Sequence, residues 1–244
     1  MKSKIKTNKK NFIIALAMML VVVIGGAMAY FTATDEATNT FTVGEVKIQL
    51  EEPGWTAPTN ITPNQAIVKD PQVKNIGKND SYVFLKVTVP KATVATTAQD
   101  GTAATAAVQQ LFQLNNSTNK TAVWSGTDTI NSTWVQVGQK TTTDDGYVYV
   151  FAYGSAQACT KLAKDASTSK LFDSVTFVNA AEGQNLEGES LNIKIEAFAI
   201  QTDNIGANGT SGKTAPADVW AILSKQTPTN AIGDYDAQSQ SVSA

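Results

Sequence analysis

Histidine is absent from this 244-residue chain, all 19 of its basic residues are lysine, and cysteine occurs once. Without histidine the chain lacks the side chain that ordinarily titrates near neutrality. It therefore cannot assemble a Ser-His-Asp or Cys-His site, or an H-E-x-x-H zinc site. Without arginine it lacks the planar fork used for bidentate phosphate or carboxylate recognition. The single Cys159 cannot close an intramolecular disulfide, so the chain is not a disulfide scaffold. Lys, Asp, Glu, Tyr, Ser and Thr remain, and no spacing gathers them into a catalytic site. No catalytic residue, cofactor or metal ligand is assigned.

What is present is unevenly distributed. Lys2, Lys4, Lys6, Lys9 and Lys10 precede an apolar run over residues 12–29, and no acid falls within residues 1–29. A basic segment, an apolar segment and the small-x-small end Ala27-Met28-Ala29 have the architecture of a secretory signal peptide. A run of this length also meets the lower limit for spanning a bilayer, so a retained anchor is the competing reading. Gly25-Gly26 weakens the helix where a signal peptidase needs extended chain, which favours cleavage between Ala29 and Tyr30. Removal of residues 1–29 takes five lysines and no acid, leaving 14 lysines against 21 acids and a net charge of −7. Nucleic acid and anionic lipid both attract cationic side chains, so neither is an expected partner. Membrane contact is expected only before cleavage.

Period-two alternation dominates the remainder. Val83, Leu85, Val87 and Val89 alternate with Phe84, Lys86 and Thr88, and Leu191, Ile193, Ile195, Ala197 and Ala199 alternate with Asn192, Lys194 and Glu196. Each run reads as a strand with one buried side. Residues 147–153 are apolar or aromatic on both faces and suit a central strand. Further strands are predicted over 134–137 and 174–178. Phe41 and Val43 share one parity, whereas Val46, Ile48 and Leu50 share the other, so a bulge or change of sheet is expected at Gly44-Glu45. Helices are predicted over 105–114, from Val108, Leu111 and Phe112, and from Pro216 to about Ser224, from Val219, Trp220 and Leu223. Residues 156–163 read as a short helix that buries Cys159. Residues 91–107 read as a loop and 225–244 as a frayed tail. Together these predict a mainly β, jelly-roll-like two-sheet sandwich with a few short helices in its connections, over residues 30–224.

Other candidate sites have simpler explanations. Asp35-Glu36, Glu51-Glu52, Asp144-Asp145, Glu182, Glu187 and Glu189 do not match a calcium-loop spacing. Asp144-Asp145-Gly146 reads as a hairpin turn. Asn-x-Ser/Thr occurs at Asn60, Asn116 and Asn131. The aromatics of 147–153 read as core before they read as a carbohydrate surface.

Residues 25–32 (Gly-Gly-Ala-Met-Ala-Tyr-Phe-Thr) and 37–44 (Ala-Thr-Asn-Thr-Phe-Thr-Val-Gly) resemble the junction of secreted proteins processed by the SipW-type signal peptidase of Gram-positive bacteria. Those proteins form the TasA/camelysin family. Ile61-Thr62-Pro63, the run Lys69-Asp70-Pro71-Gln72-Val73-Lys74-Asn75-Ile76-Gly77, the strand from Asp80 to Val87 and the closing strand from Ile193 to Asn204 are similar to the family as well. The resemblance covers residues 25–90 well and 190–205 moderately. It implies a secreted jelly-roll subunit that polymerises with itself into biofilm-matrix or cell-surface fibres by donor-strand complementation. The mature N-terminal segment, residues 30–43 with Tyr30, Phe31, Phe41 and Val43, would be the donor. It is extended, Thr-rich and free of Gly and Pro, as strand addition to an open edge requires. The family also carries a metallo-endopeptidase assignment through camelysin, and the absence of imidazole argues against carrying that activity over. A monomeric module associated with the cell wall is a third reading.

Overall fold

The computed structural model describes residues 44–98, 100–184, 186–206 and 212–226, together with Met18 and the backbone of 242–243. By internal contacts the chain divides into two compact units, Met1–Val43 and Gly44–Ala244. The second is mainly β. In chain order its strands are β1 (Ile48–Glu51), β2 (Ala66–Val68), β3 (Gln72–Asn75), β4 (Ser81–Val89), β5 (Lys91–Val94), β6 (Ala107–Gln110) and β7 (Phe112–Asn115). They continue as β8 (Trp134–Gln136), β9 (Thr141–Thr142), β10 (Tyr147–Tyr153), β11 (Ser174–Phe177), β12 (Ser190–Leu191), β13 (Lys194–Gln201) and β14 (Val242–Ser243). The helix α1 (Pro216–Leu223) lies between β13 and β14.

Two antiparallel layers make a β-sandwich. The first has the order β13-β4-β10-β8, with β9 paired to the start of β10. The second is built on β2-β11-β7. Beyond Lys69 the chain continues along residues 165–173: Lys69 N–H donates to Asp173 O, Leu171 N–H to Pro71 O and Thr168 N–H to Val73 O. β3 thus prolongs β2 past a break at Asp70-Pro71, and β1 adds outside β3 in the register Ile48↔Asn75 to Glu51↔Gln72.

The alternation predicted for β4 and β13 fixes what lies between the layers. Val83, Leu85, Val87 and Val89 with Ile193, Ile195, Ala197 and Ala199 pack in one core with Ile67, Val73, Leu114, Val175 and Phe177. The other face of the first layer is covered too. Tyr82, Phe84, Ala152 and Ile200 pack with Val219 and Leu223 of α1, and Trp220 meets the rings of Phe84 at 5.4 Å and Phe198 at 5.6 Å. A strand buried on both faces needs a near-continuous apolar run, and Ser81–Val89 supplies one apart from Ser81, Lys86 and Thr88. Pro216 starts α1 as predicted, since its missing N–H is unneeded there.

Three predicted segments differ. Residues 105–114 form β6 and β7, not a helix: Leu111, Phe112 and Leu114 are buried by pairing with β11, while Val108 stays 54% exposed. Three apolar residues at i, i+3 and i+4 fit two strands joined at Leu111 as well as they fit a helix, and tertiary pairing decides. Residues 91–107 are not simply a loop, because Lys91–Val94 pairs antiparallel with Ala107–Gln110. Residues 156–163 form no helix. Gly154 at φ +144° opens a tight turn closed by the bridge Gly154↔Cys159, and Cys159 N–H donates to Thr214 O, a use that helical pairing would forbid. Cys159 is nevertheless buried. Asp144-Asp145-Gly146 does turn β9 into β10, with Thr143 N–H donating to Gly146 O. A Cβ at Gly146 would fall 2.0 Å from Val89 O. Val46 is half-buried and Ile48 and Leu50 are buried, as their shared parity requires. The opposite half of that expectation, Phe41 and Val43, lies outside the described residues.

Candidate functional site

The run 69–77 crosses the junction of β2 and β3, and its most specific residues are themselves buried and each is partnered. Lys69 is fully buried; its Nζ lies 2.8 Å from Glu52 Oε1, donates to Oε2 at 3.1 Å and sits 4.4 Å above the Trp55 ring. Asp70, 1% exposed, accepts Gly54 N–H on both oxygens at 3.0 Å and pairs with Lys170 at 2.9 Å. Removal from water pushes the Glu52 carboxyl up and the Lys69 ammonium down, each opposed by the charge of the other. The bond to Asp70 raises Lys170.

The second half of the run fastens β3 to the chain on both sides. Val73 N–H donates to Thr168 Oγ1 at 3.0 Å. Buried Asn75 donates through Nδ2 to Asn79 O and Leu162 O, both at 2.9 Å, and accepts Gly77 N–H at 3.0 Å. Gly77 lies against the chain leading into β1: a Cβ there would be 2.6 Å from Glu45 O and 2.7 Å from Lys47 N. An unpaired polar group in such a place costs about 1–3 kcal/mol. The motif therefore works as a structural clamp. Sequence reading missed Glu52, Thr168 and Lys170; the signal was present, because a lysine and an aspartate next to buried Ile67 and Val73 demand counter-charges.

Strand edges are the second feature with functional meaning. Ile76 N–H donates to Lys47 O, so residues 47, 49 and 51 exchange hydrogen bonds with β3. The main-chain groups of Ile48 and Leu50 then point away from β3, and no partner for them is found among the described residues. Nearby, a groove of about 310 Å³ runs between Val46, Ala199–Gln201, Ile205 and Ile222.

The remaining candidates resolve simply. Ala27, Ala29, Tyr30, Phe31, Phe41 and Val43, and with them signal cleavage and strand donation, lie outside the described residues. Tyr149 and Phe151 are buried, and Tyr147 and Tyr153 pack on the core, so this strand is not an exposed aromatic platform. The single proton of Tyr149 OH faces two acceptors, Gln110 Oε1 and Asp128 Oδ2, the latter at 2.8 Å. Burial and the Asp128 charge hold its phenol protonated. Asn116 accepts Thr118 and Asn119 N–H inside its own turn, and Asn131 accepts Ser117 N–H and donates to Lys170 O and Asp173, so both amides are engaged. Glu182 and Glu187 border a cavity of about 590 Å³ with Ile61, Phe177 and Leu186. Burial pushes the Cys159 thiol up to about 11. Among the described residues no helix is long and apolar enough to cross a membrane.

The fold and clamp define a β-sandwich protein whose most specific motif is structural. Set against known families, the chain belongs to the family described as camelysin metallo-endopeptidase, whose model matches residues 4–205. The TasA/camelysin resemblance read from residues 25–90 is thereby shown. No curated protein and no solved structure gives a significant match.

The family description implies a metal, and the donor set of the described residues does not fit catalytic zinc. The chain has no imidazole, its thiol is buried, and no three Asp, Glu or Cys side chains converge among the described residues. Hydrolytic zinc needs three such ligands and an open water position. No catalytic step is derived through a metal.

Proposed function

We propose that this is a secreted structural protein, released by a SipW-type signal peptidase, that assembles into extracellular matrix or cell-surface fibres. Residues 30–43 of one subunit add as a strand to an open edge of the next. The observation that carries this reading is the edge of β1, whose outward main-chain groups at Ile48 and Leu50 are without partners among the described residues. Strand addition satisfies such groups, while alternate side chains of the donor fill the groove beside them. Extended, the 14 residues of the segment span about 45 Å, enough to reach a neighbouring subunit.

The test compares protein beginning at Tyr30 with protein beginning at Gly44 by negative-stain microscopy and size-exclusion chromatography. Fibres from the first and monomers from the second are expected. Fibres from both would move assembly to another edge, and monomers from both would remove self-assembly. The family description supports a second reading, a cell-surface endopeptidase. Casein degradation by chelator-treated, metal-reloaded protein would establish that reading and overturn the non-enzymatic one.

A further inference from the structure

The hairpin of β5 and β6 ends in an edge of a different kind. Leu111 N–H donates to Pro90 O, so Ala92/Gln109 and Val94/Ala107 are the pairs that exchange hydrogen bonds across it. The N–H and C=O groups of Val108 and Gln110 therefore point outward from β6. The opposite side of the hairpin is occupied, because Thr97 N–H donates to Asn179 O and Ala181 N–H to Ala95 O. Among the described residues, β6 is the free side.

Strand edges are normally guarded by charge or proline. β1 ends in Glu51 and follows Lys47, and β13 carries Lys194 and Glu196. β6 carries neither device: residues 101–119 contain no charged residue and no proline. Ala107 is exposed and Val108 is 54% exposed, a β-branched side chain standing on an open edge. In a chain with an excess of acids, this is a stretch where two copies meet without like-charge repulsion. An antiparallel pair of identical strands about a two-fold axis also matches each outward donor to an outward acceptor.

We propose that β6 is a self-pairing edge: β6 of one copy lies antiparallel to β6 of a second copy, with Val108 on the two-fold axis. The two hairpins then form one four-stranded ribbon. A contact this short is weak between isolated subunits and gains strength when many copies are held in an array. In fibres its consequence is side-by-side bundling, a contact separate from the N-terminal donation proposed above.

The test uses the mature chain from Tyr30 with Val108→Cys, against Val123→Cys as a control at another exposed valine (63%). A hydrogen-bonded antiparallel pair sets its Cα atoms about 5.5 Å apart, inside the range a disulfide spans. Under mild oxidation the Val108→Cys chain is expected to form covalent dimers several-fold faster than the control. Equal rates would overturn the proposal. Val108→Lys is expected to leave the fibres of the mature chain as separate filaments in negative stain, where the natural chain gives bundles, while thermal unfolding stays unchanged; undiminished bundling would overturn it as well. The readings separate cleanly: cross-linking at Val108 without fibres sinks donation and spares β6, and fibres without cross-linking do the reverse.

Discussion

Two lysine–glutamate pairs of nearly equal length sit in opposite surroundings. Lys69 and Glu52 approach to 2.8 Å with side chains 0% and 4% exposed; Lys86 and Glu196 approach to 2.7 Å with 32% and 18% exposed. At the β2–β3 junction desolvation dominates both partners, so Glu52 is pushed up and Lys69 down. On the outer face of β4 and β13 burial also acts to raise Glu196, but the hydrogen bond and charge of Lys86, joined by Lys194, bring it below the usual carboxylate range. Contact distance does not rank the two; access to water does. The buried pair is valuable for position. It ties the 52–55 turn across Lys69, where an apolar contact would specify no single partner.

The largest expected effect is to break the buried pair from one side. Lys69→Met leaves Glu52 without its cation and should cost about 3–5 kcal/mol in denaturant unfolding. A loss near zero would mean that water reaches the pocket. Combining Lys69→Met with Glu52→Gln removes both charges and should recover a large part of that loss. A double-mutant cycle then measures the coupling, while Lys170 continues to neutralise Asp70.

Gly54→Ala probes the same pocket through shape. The added Cβ would lie 2.9 Å from Asp70 Oδ2 and 3.0 Å from Val68 Cγ1. Overpacking of that kind costs about 1–3 kcal/mol, read as a lowered denaturation midpoint. At the far end of the scale, Lys86→Met should change stability by less than about 1 kcal/mol, as for other partly exposed pairs. A loss as large as that of Lys69→Met would erase the distinction between the two regions.

The same contrast explains what was legible in the sequence. β4, β10, β13 and α1 announce themselves because their patterns are local: alternation over five or more residues, or Pro216 ahead of Val219, Trp220 and Leu223. The β6–β7 corner does not, since Val108, Leu111 and Phe112 satisfy either period and only pairing with β11 selects the strands. The run 69–77 was recognisable as a family motif, yet the work of its residues was hidden. Lys69 meets Glu52 across 17 residues, Asn75 meets Leu162 across 87, and Val73 meets Thr168 across 95. Pairings at such separations leave no periodic trace.

The smallest effect, and the sharpest test of the comparison, is the pH dependence of the two glutamates. Glu196 has a folded pKa below its ordinary value of 4.5. Its contribution is therefore complete above that value and is lost as pH falls through the folded pKa. Glu52 has a folded pKa above 4.5, so the folded state takes up its proton more readily than the unfolded chain. Its contribution is complete below 4.5 and is lost as pH rises through the folded pKa. Melting temperatures of the natural chain, Glu196→Gln and Glu52→Gln between neutrality and pH 3 separate the two, because each glutamine variant lacks one titration. As pH falls, the natural chain should lose ground to Glu196→Gln and gain ground on Glu52→Gln. Slopes of the same sign would mean that the charge of Lys69 outweighs desolvation at Glu52, as that of Lys86 does at Glu196, and that the pocket around Lys69 is open to water.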